Sequence, residues 1–319
     1  MIDERRIRLA ANQAVNSDGR YVLYWMTAAR RTRYNDSLQR AVEWSLRLNK
    51  PLVVLEAVSI DYPWASVRHH QFIVDGMKDQ AQAFLTRDVA YYPFVEQATR
   101  GGRGLVLTLA QQAAVVVTDY FPCFFLPRIV EHVAARVSCR MEAVDSNGVL
   151  PVNASGKPFT SAYNFRRFMQ KHVVEALALA TSEEPLNELP AGDIQISHMD
   201  RLNRFGVDAS ILKRYPPAQV QSAQTCIIDL VGPSLDTSVS ALKVEGGQSC
   251  GLRLAQTFVE TRLSTYTERR NKPQESGTSG LSPYLHFGHV SSLEIVQELL
   301  GLHGFDPASE SRNFKGQRA

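Results

Sequence analysis

The sequence predicts an α/β protein in which a five-stranded, doubly wound parallel sheet is followed by a mainly helical region. Three observations predict this fold class. Five short apolar runs in the first half of the chain are typical of buried strands. Segments with helical spacing of apolar residues separate these runs, as the crossovers between parallel strands require. After about residue 200 the strand-like runs end and helical patterns dominate.

The predicted strands are short and rich in β-branched and aromatic residues. The clearest is the run AAVVVTD over 113–119. Pro93 confines the third strand to a short or edge position, because proline cannot donate a hydrogen bond to a sheet ladder. Together they form a Rossmann- or flavodoxin-like sheet whose strands span 21–27, 51–58, 89–96, 113–119 and 139–145.

The predicted helices follow apolar residues at three- and four-residue spacing. Asn35 or Asp36 is the expected N-cap of the first helix. Residues 146–200 are rich in turn residues and predict a connector that contains one helix. We therefore expect an α/β domain over 1–150, a connector over 151–200 and a helical domain over 201–319. The main predicted helices span 35–50, 67–85, 126–137, 161–179, 251–268 and 278–302.

Polar side chains follow the predicted strands at the edge where ligands bind in doubly wound sheets. The glycine cluster GGRG over 101–104 does not match a dinucleotide-binding motif, so we interpret it as a surface turn. The residues near the carboxyl ends of the strands are Thr27, Ser59, Glu96, Asp119 and Asp145.

Composition excludes several classes of protein. Hydrophobic residues make up 44% of the 319 residues and charged residues 21%, which is unlike a disordered chain. No apolar run approaches the length of a membrane span, and the charged N-terminus lacks the apolar core of a signal peptide, so we expect a cytoplasmic protein. Four cysteines without a CxxC pair predict neither a zinc site nor disulfides, and we expect them to be buried. The adjacent histidines 69 and 70 point to different helix faces, so we expect no metal.

The best candidate site lies in the second half of the chain. Tyr266 precedes a basic turn that contains Arg269, Arg270 and Lys272, and a loop rich in glycine and hydroxyl residues follows over 277–282. Glycines let a backbone approach a ligand closely, and free N–H and hydroxyl groups suit a phosphate. A capped loop between two helices, without a ligand, explains the same residues. From these residues alone, this structural interpretation is slightly favoured over a phosphate site.

A second basic segment occupies the helix predicted over 161–179. Arg166, Arg167 and Lys171 alternate there with aromatic residues, a pattern that can serve a nucleic acid. An amphipathic helix packed between domains explains the pattern as well, and we favour that interpretation. The formal net charge of +3 is too small to decide.

The segment GLRLAQTFVETRLSTYTERRNKPQESGTSGLSPYLHFGHVS over 251–291 closely resembles the flavin-binding segment of the photolyase/cryptochrome family. The family pattern is a helix ending in Tyr, an RN-x-P turn, a TSGLS loop and SPYLHFG. The segments DGRYVLYWMTAARRTRYNDSL over 18–38 and RHHQFIVDGM over 68–77 resemble the class II cyclobutane-pyrimidine-dimer photolyases. The resemblance covers nearly the whole chain.

This resemblance implies an N-terminal antenna domain, a linker and part of an all-α FAD-binding domain. The implied activity is light-driven repair, in which reduced, excited FAD passes an electron to a pyrimidine dimer flipped out of DNA. Tyr266 would contact the FAD phosphate region. Arg269, Arg270 and Lys272 would face DNA. The pyrophosphate and ribityl chain would be held by Thr278, Ser279, Gly280, Leu281 and Ser282.

Members of the family continue well over a hundred residues past the SPYLHFG motif. The resemblance therefore implies that the chain is truncated at its C-terminus, and that the catalytic residues and the tryptophan relay are expected beyond Ala319. The tryptophans of this chain all lie in the α/β half, at Trp25, Trp44 and Trp64.

Two other functions stay open at the level of the sequence. A cryptochrome-like blue-light photoreceptor would share every motif seen here, and an α/β module could bind a nucleotide without light chemistry. The resemblance leaves a second, antenna chromophore unidentified. We expect damaged DNA as the partner of a monomeric protein, without membrane or metal partners.

Overall fold

The computed structural model describes residues 2–98, 100–179, 181–220, 225–241, 243–302 and 304. Its centre is a six-stranded sheet in the order β1-β6-β5-β2-β3-β4. Strand β1 runs antiparallel to β6, and all other neighbouring strands are parallel. The strands are β1 Ile7–Ala11, β2 Tyr21–Met26, β3 Leu52–Val58, β4 Val89–Val95, β5 Ala113–Asp119 and β6 Arg140–Val144.

The predicted α/β class and all five predicted strands are confirmed. Pro93 lies in β4, which is an edge strand as its proline requires, although β4 pairs with β3 along its full length. Strand β1 is not among the predicted strands. Only Ala11 of this strand is buried, and the neighbouring Arg8 and Leu9 are both exposed, so it lacks the continuous apolar run of a buried strand.

Helices cover both faces of the sheet. Helix α2 has the predicted bounds, and Asn35 is the N-cap of α1, where its side chain accepts a hydrogen bond from the Leu38 N–H at 3.0 Å. The helices are α1 Asp36–Leu48, α2 Val67–Leu85, α3 Leu105–Ala110, α4 Leu126–Ala134, α5 Ala162–Ala178, α6 His198–Arg204, α7 Ala209–Arg214, α8 Ile227–Val231, α9 Gln248–Thr261, α10 Tyr266–Arg269, α11 Ser282–His286 and α12 Ser292–Leu302.

Both long helices predicted in the second half are interrupted. The helix expected over 251–268 ends at Thr261, and a 3-10 turn over Leu263–Thr265 leads into α10. The segment expected over 278–302 divides into α11 and α12, because Gly288 adopts a left-handed φ of 75° between them. The polar stretch over 306–319 lies outside the described residues.

Two large hydrophobic clusters fill the two faces of the sheet. Helices α6 and α7 pack on one of them through Leu202, Ile211 and Leu212, so this part of the predicted helical domain contacts the sheet. The division at residues 150 and 200 stays a prediction. A third, smaller cluster lies under the candidate site and consists of Phe72, Ala255, Leu281, Tyr284 and Val290.

Several expected features concern cysteines, metals and membranes. All four cysteines are free, but the expected burial is wrong for Cys123, which is exposed, and holds fully for Cys139. Among the described residues no group of three or more His, Cys, Asp or Glu side chains is arranged to hold a metal ion. Within the same residues, no helix is long and apolar enough to cross a membrane.

Candidate functional site

The loop over 277–282 connects α10 to α11, and packing determines its shape. Gly277 is buried against α10, where an added Cβ would lie 2.6 Å from the Cβ of Arg269. Gly280 adopts a left-handed φ of 73°. Leu281 is only 3% exposed and inserts into the third hydrophobic cluster. The loop is therefore anchored at both ends and turns its polar residues outward.

The hydroxyl groups of this loop are available to a ligand. Thr278 and Ser282 are exposed, and within the described residues neither hydroxyl has a hydrogen-bond partner. Ser279 Oγ accepts a hydrogen bond from the Leu281 N–H at 3.4 Å. At Gly280 an added Cβ would meet just one atom, Leu254 Cδ2 at 3.5 Å, so the backbone is open to close approach. Unpaired hydroxyls beside a glycine fit a pyrophosphate group.

Tyr266 begins α10 and packs between an aromatic ring and a cation. Its ring meets Phe258 edge-on at 5.6 Å, and the Arg270 guanidinium lies 5.8 Å from its ring centroid. Arg269 and Lys272 both pair with Glu275, at 3.4 and 3.3 Å, in exposed positions. All three cations predicted to contact DNA thus lie on the surface, and two of them share a carboxylate.

The structure brings the Tyr266 turn and the 277–282 loop together. The contact between Gly277 and Arg269 joins them, and so does a residue that the sequence analysis missed. Arg262 Nη1 donates a hydrogen bond to the Thr278 carbonyl oxygen at 3.1 Å. Its position at the C-terminal end of α9 carries no motif, although a cation at a helix terminus is a weak general signal.

Buried polar contacts join this helical part to the α/β sheet. Arg31 donates hydrogen bonds to the carbonyl oxygens of Gly288 and Ser146, at 3.1 and 2.8 Å. Gln248 Oε1 accepts a hydrogen bond from the Thr32 N–H at 2.8 Å. These partners are far apart in the sequence, so sequence reasoning missed them too.

His289 is a further missed residue at the same junction. It is fully buried and stacks on Phe72 at 5.0 Å, and its Nδ1 accepts a hydrogen bond from the Gly247 N–H at 2.9 Å. Burial, together with the nearby charges of Arg30 and Arg31, lowers the pKa of His289 to about 3. The imidazole is therefore neutral and structural at ordinary pH.

A cavity of about 510 Å³ opens at the carboxyl ends of β2, β3 and β4. Glu96 organises its rim, because its carboxylate accepts hydrogen bonds from Ser59 Oγ at 2.6 Å and from the N–H groups of Ile60 and Gly102 at 3.0 Å. The GGRG segment thus forms a turn whose Gly102 lines this cavity. Other lining residues include Trp25, Tyr62, Phe94, Phe125, Arg30 and Arg103.

The polar residues predicted at the strand ends divide between two places. Thr27, Ser59 and Glu96 line the larger cavity. Asp119 lies at a smaller cavity of about 320 Å³ beside α11, and its Oδ2 accepts hydrogen bonds from the N–H groups of residues 27–29 at 2.7–3.0 Å. Asp145 instead accepts hydrogen bonds from the backbone of the following loop.

No protein-family profile matches the chain. It is 28% identical to the deoxyribodipyrimidine photo-lyase of Methanothermobacter thermautotrophicus over 298 residues, which cover 93% of this chain and 60% of that protein. It is also 28% identical to the deoxyribodipyrimidine photo-lyase of Oryza sativa over 301 residues, 90% of this chain and 54% of that protein. The chain thus spans little more than half the length of these relatives.

The fold is also similar to a solved structure. The class III photolyase of Agrobacterium tumefaciens superposes with a TM-score of 0.52 at 16% identity, over 92% of this chain and 54% of that one. The sequence relatives and the six-stranded fold agree with the resemblance carried by the 251–291 segment. These photo-lyase relatives support the resemblance of the chain to the photolyase/cryptochrome family.

Proposed function

We propose that this protein repairs cyclobutane pyrimidine dimers in DNA with light, as a deoxyribodipyrimidine photo-lyase that uses FAD and resembles the class II enzymes. Similarity to photo-lyases along at least 90% of the chain supports the reaction class. The chemistry that FAD supplies when bound is electron transfer from its reduced, light-excited state to the cyclobutane ring. The steps below concern what the residues of this chain contribute.

The 277–282 loop is the observation that carries the proposal. It offers the unpaired hydroxyls of Thr278 and Ser282 and the open backbone at Gly280 to a pyrophosphate. The neighbouring Tyr266 offers a partly exposed ring and hydroxyl. We propose that these residues, together with Ser279 and Leu281, hold the FAD phosphates and ribityl chain.

Arg269, Arg270 and Lys272 are proposed to contact the DNA backbone beside this loop. The exposed ion pairs of Arg269 and Lys272 with Glu275 are weak, because solvent screens them, so these two pairs can be exchanged for phosphate contacts at little cost. Extruding a damaged base pair costs less than extruding an intact one, which favours binding at the lesion.

The larger cavity supports a second chromophore. Its aromatic walls, from Trp25, Tyr62 and Phe94, suit a planar ring, and Arg30 and Arg103 suit an acidic substituent. We propose that this cavity takes the antenna pigment. A cytoplasmic location, a monomeric state and the predicted domain limits stay predictions.

Flavin binding is the first test. The purified chain is titrated with FAD, and binding is followed by the change in flavin fluorescence. We expect the double variant Thr278→Ala/Ser282→Ala to bind FAD roughly 10–30-fold more weakly, since each lost hydrogen bond contributes about 1 kcal/mol. The control variant Ser264→Ala/Thr267→Ala removes two exposed hydroxyls from the preceding turns and should bind FAD normally.

Repair is the second test. The FAD-loaded, reduced chain is mixed with an oligonucleotide that contains one thymine dimer, and the dimer is counted by chromatography after blue light or darkness. Loss of the dimer in light alone supports the proposal. FAD binding without repair favours the photoreceptor alternative, whereas a chain that binds nucleotides but no FAD favours the plain α/β module. Either of these two results contradicts the proposal.

A further inference from the structure

Helix α5 shares no residue with the site described above. Its first three turns are almost entirely exposed, and its buried residues are Ala176 and Leu177 near the C-terminal end. Tyr163 is 63% exposed and Phe165 is 45% exposed. The described chain therefore leaves uncovered a helix that the sequence analysis expected to be packed between domains.

The exposed part of α5 is strongly basic. The segment over 146–174 contains no Asp or Glu, but it contains Lys157, Arg166, Arg167 and Lys171. Within the described residues, Lys157, Arg166 and Lys171 have no ion pair, and the first acidic residue after them, Glu175, faces Arg5 and His172. These cations are thus free to neutralise an external anion.

The cations and one aromatic ring share a face of the helix. Tyr163, Arg167 and Lys171 follow at four-residue spacing, and Arg166 lies beside them. From residue 163 to residue 171 the helix rises about 12 Å, which matches three to four phosphates of one DNA strand at about 3.4 Å each. Arg167 lies 5.8 Å from the Tyr163 ring centroid, so the guanidinium and the ring present one continuous surface.

A small aromatic cluster supports this face from the other side. Phe159 packs on Phe165 at 5.4 Å and on Phe168 at 5.2 Å, and Phe168 packs on His172 at 4.4 Å. The cluster ties the segment before α5 to the helix. Tyr163 takes no part in it, which leaves its ring available to an external partner.

We propose that the α5 basic face, defined as Tyr163, Arg166, Arg167 and Lys171, binds the phosphate backbone of DNA, with Tyr163 against a sugar or base. Charge complementarity over a 29-residue stretch without an acid points to a polyanion. An exposed tyrosine among the cations favours a nucleic acid over a simple anion. The choice of DNA rests on the proposed function, and the surface is separate from the Arg269–Lys272 turn.

Salt dependence of binding tests this proposal. A fluorescein-labelled, undamaged DNA duplex is titrated with the chain in darkness at 50–200 mM salt, and binding is followed by anisotropy. Each lost phosphate contact lowers the slope of log affinity against log salt by about 0.9. In the triple variant Arg166→Gln/Arg167→Gln/Lys171→Gln we expect this slope to fall by about 2.7. Raising the salt from 50 to 200 mM should therefore weaken DNA binding by the wild type roughly 40-fold more than binding by the variant.

A charge-matched control separates this face from the effect of net charge. The control removes three exposed cations elsewhere on the surface, so both variants change the formal net charge from +3 to 0. The control slope should stay at the wild-type value, and equal slopes in the two variants would overturn the proposal. The control substitutions are Arg136→Gln, Lys213→Gln and Arg214→Gln.

A spectroscopic probe reports contact at the face itself. In Tyr163→Trp the new indole should change its emission when DNA is added, and unchanged emission at saturating DNA contradicts the proposed contact. Binding of the chain to anionic lipid vesicles but not to DNA also overturns the proposal. Because the DNA assay needs neither flavin nor light, intact DNA binding without dimer repair contradicts the proposed function and leaves this inference standing.

Discussion

Gly76 lies in the middle of α2, at a point where no side chain fits. An added Cβ would lie 2.5 Å from Nε2 of the buried His289. We expect Gly76→Ala to lower the free energy of unfolding by about 1–3 kcal/mol, because overpacking outweighs the gain of about 1 kcal/mol in helix propensity. Urea unfolding followed by circular dichroism measures the change.

Gly301 provides the matched control for this substitution. It also lies in a helix, near the end of α12, but an added Cβ there meets nothing within 4 Å. Gly301→Ala should therefore be neutral or stabilise the protein by up to about 1 kcal/mol. If Gly76→Ala were as stable as Gly301→Ala, the close packing of α2 on His289 would be wrong.

The buried His289 also makes stability depend on pH. Its folded pKa is lowered to about 3, whereas a histidine in the unfolded chain takes up a proton near pH 6.5. The unfolded state thus binds more protons between these values, and stability is lost as the pH falls below about 6.5. Between pH 7.5 and pH 5 the wild type should lose about 2 kcal/mol relative to His289→Gln.

Denaturant unfolding at the two pH values checks this difference. A glutamine can still accept the Gly247 N–H bond, so the variant is expected to fold. The exposed His132 serves as the control, and His132→Gln should keep the pH dependence of the wild type. A wild type and His289→Gln that respond equally to pH would mean that His289 is not held neutral by burial.

At the scale of elements, continuous apolar runs and helix caps could be predicted from the sequence. The five parallel strands and α2 were found because their signals are local. Strand β1 was missed because most of its residues are exposed or only partly buried, and the break at Thr261 was missed because the apolar stripe continues through it. The 277–282 loop was found by its motif, but its anchors Arg262 and Gly277 depend on contacts that no local pattern encodes.

The junction between α12 and the loop before α1 also depends on such a contact. Arg33 Nε donates a hydrogen bond to Glu294 at 2.6 Å, and the same guanidinium pairs with Glu183 and Glu184. Glu294 is 5% exposed, so removing its partner leaves a buried charge. We expect Arg33→Met to lower the free energy of local opening of α12 by about 3 kcal/mol, the lower end for a broken buried pair.

Hydrogen exchange measured by mass spectrometry can locate this effect. Amides of α12 should exchange faster in Arg33→Met, whereas those of β2 should keep their wild-type rates. The double variant Arg33→Met/Glu294→Leu should recover most of the protection, because it removes the unpaired carboxylate. Equal protection of α12 in the wild type and in Arg33→Met would show that the ion pair does not hold the junction.

At the scale of the whole molecule, the core is unevenly distributed. The two clusters on the sheet contain most of the buried apolar residues, whereas the cluster under the 277–282 loop has five buried members. The elements proposed to bind FAD therefore have less buried apolar surface to stabilise them than the sheet has. We expect the flavin-free chain to unfold in two steps, with residues 248–302 opening before the sheet.

Two optical probes separate these steps. Trp25 and Trp44 are buried in the α/β part, so their fluorescence reports unfolding of the sheet, and far-ultraviolet circular dichroism reports both parts. Without FAD, the dichroism transition should begin at a lower temperature than the fluorescence transition. FAD at 100 times its Kd adds about 2.7 kcal/mol to the part that binds it, which should bring the two transitions together. Coincident transitions without FAD would mean that the sheet and the flavin-binding helices fold as one unit. If FAD raised the fluorescence midpoint while the two transitions stayed apart, the flavin would instead be bound by the sheet.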